Sequence, residues 1–193
     1  MNKAIFLDKD GTVIIDIPYN VNANLISLSD NTAQGLRLLQ HQGFLLVIIT
    51  NQAGVALGYF EEDALTAVGD KLAALFIEER ITLNGFYYCP HHPQGTVYPY
   101  NINCNCRKPQ TGMLLQAAND LNIDLRCSWM IGDILNDVEA GNRAGCKSIL
   151  IDNGNETEWV MNECRLPLKK VANVNEAAGF IISILQHGEM AGM

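Results

Sequence analysis

Positive charge is scarce in this sequence. Thirteen Lys and Arg stand against twenty-one Asp and Glu in 193 residues, a formal net charge of −8, and the basic residues are scattered. Binding a nucleic-acid backbone rests on clustered Lys and Arg, and no basic or aromatic stripe offers such a surface, so no nucleic-acid partner is expected. Long apolar runs are missing too. Only Ala4-Ile5-Phe6-Leu7 separates Met1-Asn2-Lys3 from Asp8, short of a signal-peptide core, and no run approaches membrane-spanning length. The expected setting is the cytoplasm, with no membrane partner. Repeats, low-complexity tracts and linker-like stretches are also lacking, and with 48% hydrophobic residues the sequence can bury the core of one domain spanning 1–193.

What is present is an alternation of short apolar runs with helical patterns. The run ending at Leu7 reads as a buried strand, as do 44–49, 85–88, 128–131 and 147–151. Helical spacing predicts helices over 31–42, with Asp30 or Asn31 as cap, Leu36, Leu38 and Leu39 buried and Gly43 as the stop, and over 61–80, with Leu65, Val68, Leu72, Leu75 and Phe76 inward. Further helices are expected over 111–121, from Asp133 through Ala144, and over 177–185, and residues 13–30 read as a flap over the first strand end. Strands alternating with helices imply a parallel sheet covered on both faces, a doubly wound, Rossmann-like α/β domain. The gaps from Asp8 to Thr50 and from Thr50 to Lys108 leave no room for a cap domain.

In such sheets ligands gather beyond the carboxyl ends of the strands. Asp8-Lys9-Asp10-Gly11-Thr12 stands at one such end, Thr50-Asn51-Gln52 at a second and Gly132-Asp133 at a third, and Arg107-Lys108 precedes a helix start. Each group has an ordinary explanation when taken alone: acidic turn residues, an N-cap at Thr50 or Asn51, a solvated lysine, a helix cap at Asp133. Taken together they suit phosphoryl transfer through an aspartyl-phosphate, because a carboxylate attacks a phosphate only when the negative charge is neutralised. Asp8 is the expected nucleophile and Asp10 the general acid and then base. Asp8, Asp133 and the backbone carbonyl of Asp10 are the expected ligands of a Mg²⁺ ion. Lys108 adds a second positive charge, the Thr50 hydroxyl holds phosphate oxygens, and Gly11 lets the backbone turn close to the ligand. A phosphoacceptor signalling domain would offer similar groups, but the second carboxylate, Asp10, favours turnover.

The six cysteines of such a protein are thiols or metal ligands rather than disulfides. Cys89-x-His91 and Cys104-x-Cys106 lie in a Pro-, Asn- and His-rich segment without core periodicity, and three thiolates with one imidazole suit a structural, tetrahedral Zn²⁺ that orders the loop. His92 competes with His91 and ranks lower. Cys127, Cys146 and Cys164 read as core or surface thiols.

These residues resemble the motifs of the haloacid dehalogenase superfamily of phosphatases: Asp8-Lys9-Asp10-Gly11-Thr12 the first motif D-x-D-G-T, Thr50 the second, Lys108 the third, and Gly132-Asp133 with the supporting Asp137 the fourth, G-D-x-x-x-D. The segment from Cys89 to Pro109 resembles the zinc loop of a capless branch, the D-glycero-D-manno-heptose-1,7-bisphosphate 7-phosphatases, and shares elements with the histidinol-phosphate phosphatases. The resemblance implies a monomeric enzyme acting on a small phosphorylated metabolite, heptose 1,7-bisphosphate, with histidinol phosphate as the alternative. It places Asp16, Tyr19, Thr50, Asn51, Gln52, Arg107 and Lys108 at the substrate, with Arg107 toward its distal part. Ile134, where that branch usually carries a basic or small polar residue, and the stretch 20–30 depart from the pattern.

Overall fold

The apolar runs become the strands of one parallel sheet in the computed structural model, which describes residues 1–190. In chain order the strands are β1 (Lys3–Leu7), β2 (Phe44–Asn51), β3 (Gly85–Cys89), β4 (Trp129–Gly132), β5 (Lys147–Ile151) and β6 (Lys169–Val171). The helices are α1 (Thr32–His41), α2 (Gly54–Leu57), α3 (Ala64–Glu78), α4 (Gly112–Asp120), α5 (Leu135–Ala144) and α6 (Val174–Met190). The strand order is β3-β2-β1-β4-β5-β6 and every pairing is parallel. Winding therefore reverses between β1 and β4, and that switch point is where open α/β sheets leave a ligand crevice. Leu7 pairs with both Ile48 and Ile131, so Asp8, Thr50 and Asp133 emerge at one edge within two residues of a common level.

Side chains alternate across the sheet as the strand period requires. Ile5, Leu7, Leu46, Ile48 and Ile131 pack on one face with Leu36 and Leu39 of α1, Val68, Leu72 and Phe76 of α3, and Ala177, Ala178 and Ile181 of α6. Ala4, Phe6, Val47, Ile49 and Met130 pack on the other with Met113, Leu114 and Ala117 of α4 and Ala140 of α5. Both faces are covered, as the alternating pattern predicts. No helix of the described residues is long and apolar enough to cross a membrane.

Several local expectations are corrected. Leu36 and Leu39 are fully buried but Leu38 is 39% exposed, because it points about 200° around the helix from Leu36. Asn31 does precede α1, but its backbone is left-handed (φ 62°) and its side chain makes no cap bond. The closing helix starts at Val174, where the Asn173 side chain accepts from Glu176 N–H at 3.0 Å. The short helix α2 and strand β6 were not anticipated: β6 buries only Val171 and so lacks an apolar run to mark it. The flap is anchored rather than loose, since Val13, Ile14 and Ile26 join the core and Ile14 bridges to both Asp10 and Leu28.

The α1 correction is directly testable. Leu36→Ala should cost about 2–5 kcal/mol of unfolding free energy, and Leu38→Ala no more than about 0.5 kcal/mol. Denaturant midpoints at unchanged slope provide the measurement, and equal losses at the two positions would contradict the assigned helix face.

Candidate active site

Asp8 leaves β1 with its N–H donating to Ile131 O of β4 at 3.0 Å. The buried Lys108 ammonium meets it there. Nζ lies 2.7 Å from Asp8 Oδ1 and 2.6 Å from Asp137 Oδ1, and donates to Ile49 O at 2.9 Å, one acceptor for each of its three protons. Burial opposes the lysine's charge, but Asp137 and Asp8 outweigh it and hold its pKa above the ordinary lysine range. Asp137, fully buried on α5, is pushed up by burial and by Asp8 against the pull of Lys108. Its other oxygen accepts from Ile134 N–H at 3.2 Å, so this carboxylate both caps α5 and fixes Lys108.

The segment carrying Lys108 is held from two sides. Asn51, at the end of β2, donates to Lys108 O at 3.1 Å and accepts from Lys108 N–H at 2.9 Å; it clamps that peptide rather than capping a helix. On the other side, Cys89, His91, Cys104 and Cys106 converge, with ligand atoms all within 4.8 Å of one another. The sulfurs are 3.0 to 3.5 Å apart and His91 Nδ1 is 3.3 Å from Cys106 Sγ. The contact between Cys89 and Cys106 holds the Cys106 thiol below the ordinary cysteine range and pushes Cys89 above it. This soft donor set could hold one tetrahedral metal ion. His92 lies outside the cluster, its Nδ1 accepting from Gln94 N–H at 3.2 Å. Cys146 is buried, Cys127 and Cys164 are exposed, and all three are free thiols.

Asp8, Asp133 and Asp137 form a second group able to hold a metal ion. Burial and the charge of Asp8 push Asp133 from the ordinary 3.8 up to about 6. Thr12 Oγ1 donates to it at 3.2 Å and Asn155 Nδ2 at 2.6 Å. Gly11 is required here: its φ is +73°, and a Cβ would sit 2.1 Å from Asp133 Oδ2. Asp10 turns the other way, its Oδ1 2.8 Å from the buried Lys9 ammonium and its Oδ2 accepting from Gln52 Nε2 at 3.2 Å. Gln52 Nε2 also donates to Thr50 Oγ1 at 2.9 Å. Burial raises the Asp10 pKa, and Lys9 opposes that shift.

Two adjoining cavities share Asp10, Asp16, Asn51, Arg107 and Ile134. One, of about 260 Å³, opens on Asp8, Thr50, Lys108 and Asp133; the other, of about 400 Å³, adds Lys9, Tyr19 and Gln52. The structure thus brings together every residue the sequence nominated for the catalytic, Mg²⁺ and substrate sets. Sequence reasoning missed Lys9, and it missed Asn153, Asn155 and Glu156, which follow β5. Asn153 Nδ2 donates to Gly11 O at 2.8 Å and Glu156 Oε2 accepts from Leu135 N–H at 2.7 Å. The position of 153–156 beyond a strand's carboxyl end was the available signal. Lys9 gave none, because lysines are seldom fully buried.

A buried carboxylate constellation at the switch point of a parallel sheet is the arrangement of the haloacid dehalogenase-like hydrolases, and a family model described as HAD-hydrolase-like matches residues 105–177. The chain is 43% identical to the D-glycero-β-D-manno-heptose-1,7-bisphosphate 7-phosphatase of Haemophilus influenzae over 80% of this chain and 84% of the relative. It is 40% identical to the enzyme of that name from Pasteurella multocida over 90% and 95%. A D,D-heptose 1,7-bisphosphate phosphatase from B. bronchiseptica, solved with magnesium and phosphate, superposes with a TM-score of 0.75 at 26% identity, covering 94% of this chain and 98% of that one. The chain belongs to this family of haloacid dehalogenase-like phosphatases.

The raised Asp133 pKa has a stability consequence. A carboxyl whose folded pKa exceeds its unfolded value contributes stability below about 4 that is lost as pH rises through about 6. In chelator-treated protein, Asp133→Asn should therefore raise stability at pH 7.5 by up to about 3 kcal/mol and give no gain at pH 4. Denaturant unfolding at the two pH values is the measurement.

Proposed function

We propose that this chain is a Mg²⁺-dependent phosphomonoesterase that removes the 7-phosphate of D-glycero-β-D-manno-heptose 1,7-bisphosphate. The observation that carries the reading is Asp8, held 2.7 Å from the buried Lys108 ammonium in a cavity that also opens on Asp10, Thr50 and Asp133. Asp8 attacks phosphorus in line with the ester oxygen, the P–O ester bond breaks, and Asp10 gives its proton to the departing oxygen. A water then attacks the aspartyl-phosphate, its proton passes to Asp10, and phosphate leaves with Asp8 restored. Lys108 and the Thr50 hydroxyl hold the phosphoryl oxygens as charge shifts onto them.

The donors fit the metals expected from the sequence. Four carboxyl groups, Asp8, Asp10, Asp133 and Asp137, outnumber the two ammonium groups, Lys9 and Lys108, that face them, and they supply hard oxygen donors. Asp137 is engaged with Lys108 and Ile134, so Asp8, Asp133 and the carbonyl of Asp10 would hold Mg²⁺. When bound, that ion supplies the positive charge that lets an anionic phosphate approach Asp8. Cys89, His91, Cys104 and Cys106 would hold a structural Zn²⁺ that orders the loop leading into Arg107 and Lys108.

The larger cavity would take the rest of the substrate, with Asp16, Tyr19, Asn51 and Gln52 along its walls and Arg107 toward the distal end, where a bisphosphate carries its second anion. The names of the relatives support heptose bisphosphate over histidinol phosphate. In this reading the chain acts as a single domain, a monomer in the cytoplasm, with neither nucleic acid nor membrane as partner.

Purified protein with Mg²⁺ should convert heptose 1,7-bisphosphate to the 1-phosphate, with kcat/KM at least about tenfold above that for histidinol phosphate. Asp8→Asn should abolish phosphate release while circular dichroism stays native; full activity in that variant would sink the mechanism. Removing zinc with a chelator, verified by metal analysis, should lower the melting temperature and expose the 89–108 loop to proteolysis, with activity falling as a consequence. A freshly purified, zinc-free protein of normal activity and stability would contradict the structural zinc.

A further inference from the structure

Lys9 is among the largest fully buried side chains, 1% exposed, although it sits between two aspartates at the mouth of a cavity. An ammonium taken out of water is costly unless a counter-charge holds it, and the anion beside it is Asp10, whose Oδ1 lies 2.8 Å from Nζ. Its backbone N–H donates to Asp8 Oδ1 at 2.7 Å, and its carbonyl accepts from both Val13 and Ile14 N–H at 3.0 Å. The residue is therefore locked at both ends, in the turn that starts the flap.

The geometry points to Lys9 as a positioning residue for Asp10, one that fixes which carboxylate oxygen faces the ester. This rests on the phosphatase reading above. An ammonium donates and cannot accept, so Lys9 occupies Oδ1 as an acceptor and the proton of the acid form belongs on Oδ2. Oδ2 also accepts a hydrogen bond, from Gln52 Nε2 at 3.2 Å, but that donor is neutral and farther away than the Lys9 ammonium at 2.8 Å, so the charged contact decides which oxygen stays unprotonated. Gln52 lines the larger cavity. In the first half-reaction the Oδ2 proton moves to the departing ester oxygen as the P–O bond breaks. In the second, the proton of the attacking water returns to Oδ2. Without the ammonium, Asp10 is free to turn and to carry its proton on either oxygen. The two aspartates at the end of β1 thus have separate lysines: Lys108 for Asp8 and Lys9 for Asp10.

The test uses the dependence on the leaving group. An alkyl alkoxide needs its proton as it departs, whereas p-nitrophenolate leaves well without one. Lys9→Met in the full-length, Mg²⁺-loaded enzyme should lower kcat/KM for an alkyl phosphate by about 10²-fold, and for p-nitrophenyl phosphate by less than about threefold. Lys9→Arg should restore the ratio. If Lys9→Met does not fold, Lys9→Gln carries the same comparison. Equal losses on both substrates, or no loss on either, would overturn the role of Lys9. Asp10→Asn separates this from the parent reading: if it too spares no substrate selectively, the acid assignment itself fails. If Asp10→Asn shows the selective loss and Lys9→Met does not, only the Lys9 proposal falls.

Discussion

One buried ammonium sets the geometry of this site. Lys108 Nζ is shared by Asp8 at the end of β1, Asp137 on α5 and the Ile49 carbonyl in β2. Three separate elements of the sheet's carboxyl edge are thereby tied to one atom. Burying charges in this way is weak as a source of stability, since desolvation offsets much of the attraction, yet removing any one partner leaves an unpaired charge and costs about 3–5 kcal/mol. What the arrangement secures is position. Asp8 cannot drift from its place without abandoning a charge in the interior, and in the proposed mechanism, where Asp8 is the nucleophile, being held in advance of the substrate avoids reorganisation when the substrate arrives.

Delivering a lysine to that point is demanding, because the segment from Cys89 to Lys108 has almost no core of its own. Two devices on either side compensate. Asn51 makes both possible hydrogen bonds to the Lys108 peptide, which fixes the backbone. The Cys89, His91, Cys104 and Cys106 cluster closes the loop immediately upstream, and Cys104 Sγ receives the Arg107 N–H at 3.4 Å. The loop is also pinned to α2, whose Ala56 carbonyl accepts from Thr96 and Val97 at 2.8 and 3.0 Å. Order in the loop and charge in the active site are thus one structural problem, which explains why a soft-ligand cluster stands so close to a hard-ligand one.

The parts of this design visible in the sequence share a physical origin. Strands buried on both faces must be continuous apolar runs, so β1, β2, β4 and β5 could be read, and the polar residues after Leu7, Ile49 and Ile131 could then be placed at one edge. Thiol and imidazole ligands in a segment lacking core residues could be read for the same reason: nothing else would order it. The missed features depend on packing that has no local pattern. Strand β6 buries one side chain, α2 is a single turn, and the outward turn of Leu38 follows from which side of α1 meets the sheet. Lys9 and Asn155 escaped because their partners, Asp10 in a turn and Asp133 just beyond the end of another strand, become neighbours only through the turn geometry and the strand order.

A site without a cap must select its substrate with fixed walls, and the flap supplies one. Val13, Ile14 and Ile26 root it in the core, which leaves Asp16, Pro18, Tyr19 and Asn20 along the cavity. The opposite wall is the turn from Gln52 into α2, where Gly54 admits the Phe60 ring to a space that a Cβ would block at 2.2 Å. The walls meet at the rim: Tyr19 of the flap and Tyr59 beyond α2 pack with ring centroids 4.5 Å apart. Tyr19 does so from a left-handed backbone, φ 56°, a conformation that costs a non-glycine residue about 1–2 kcal/mol. A strained residue persists only where its surroundings hold it, and the contact Tyr19 makes here is with the Tyr59 ring. The flap, rooted in the core by Val13, Ile14 and Ile26, and the turn into α2 therefore shape the pocket without a separate cap.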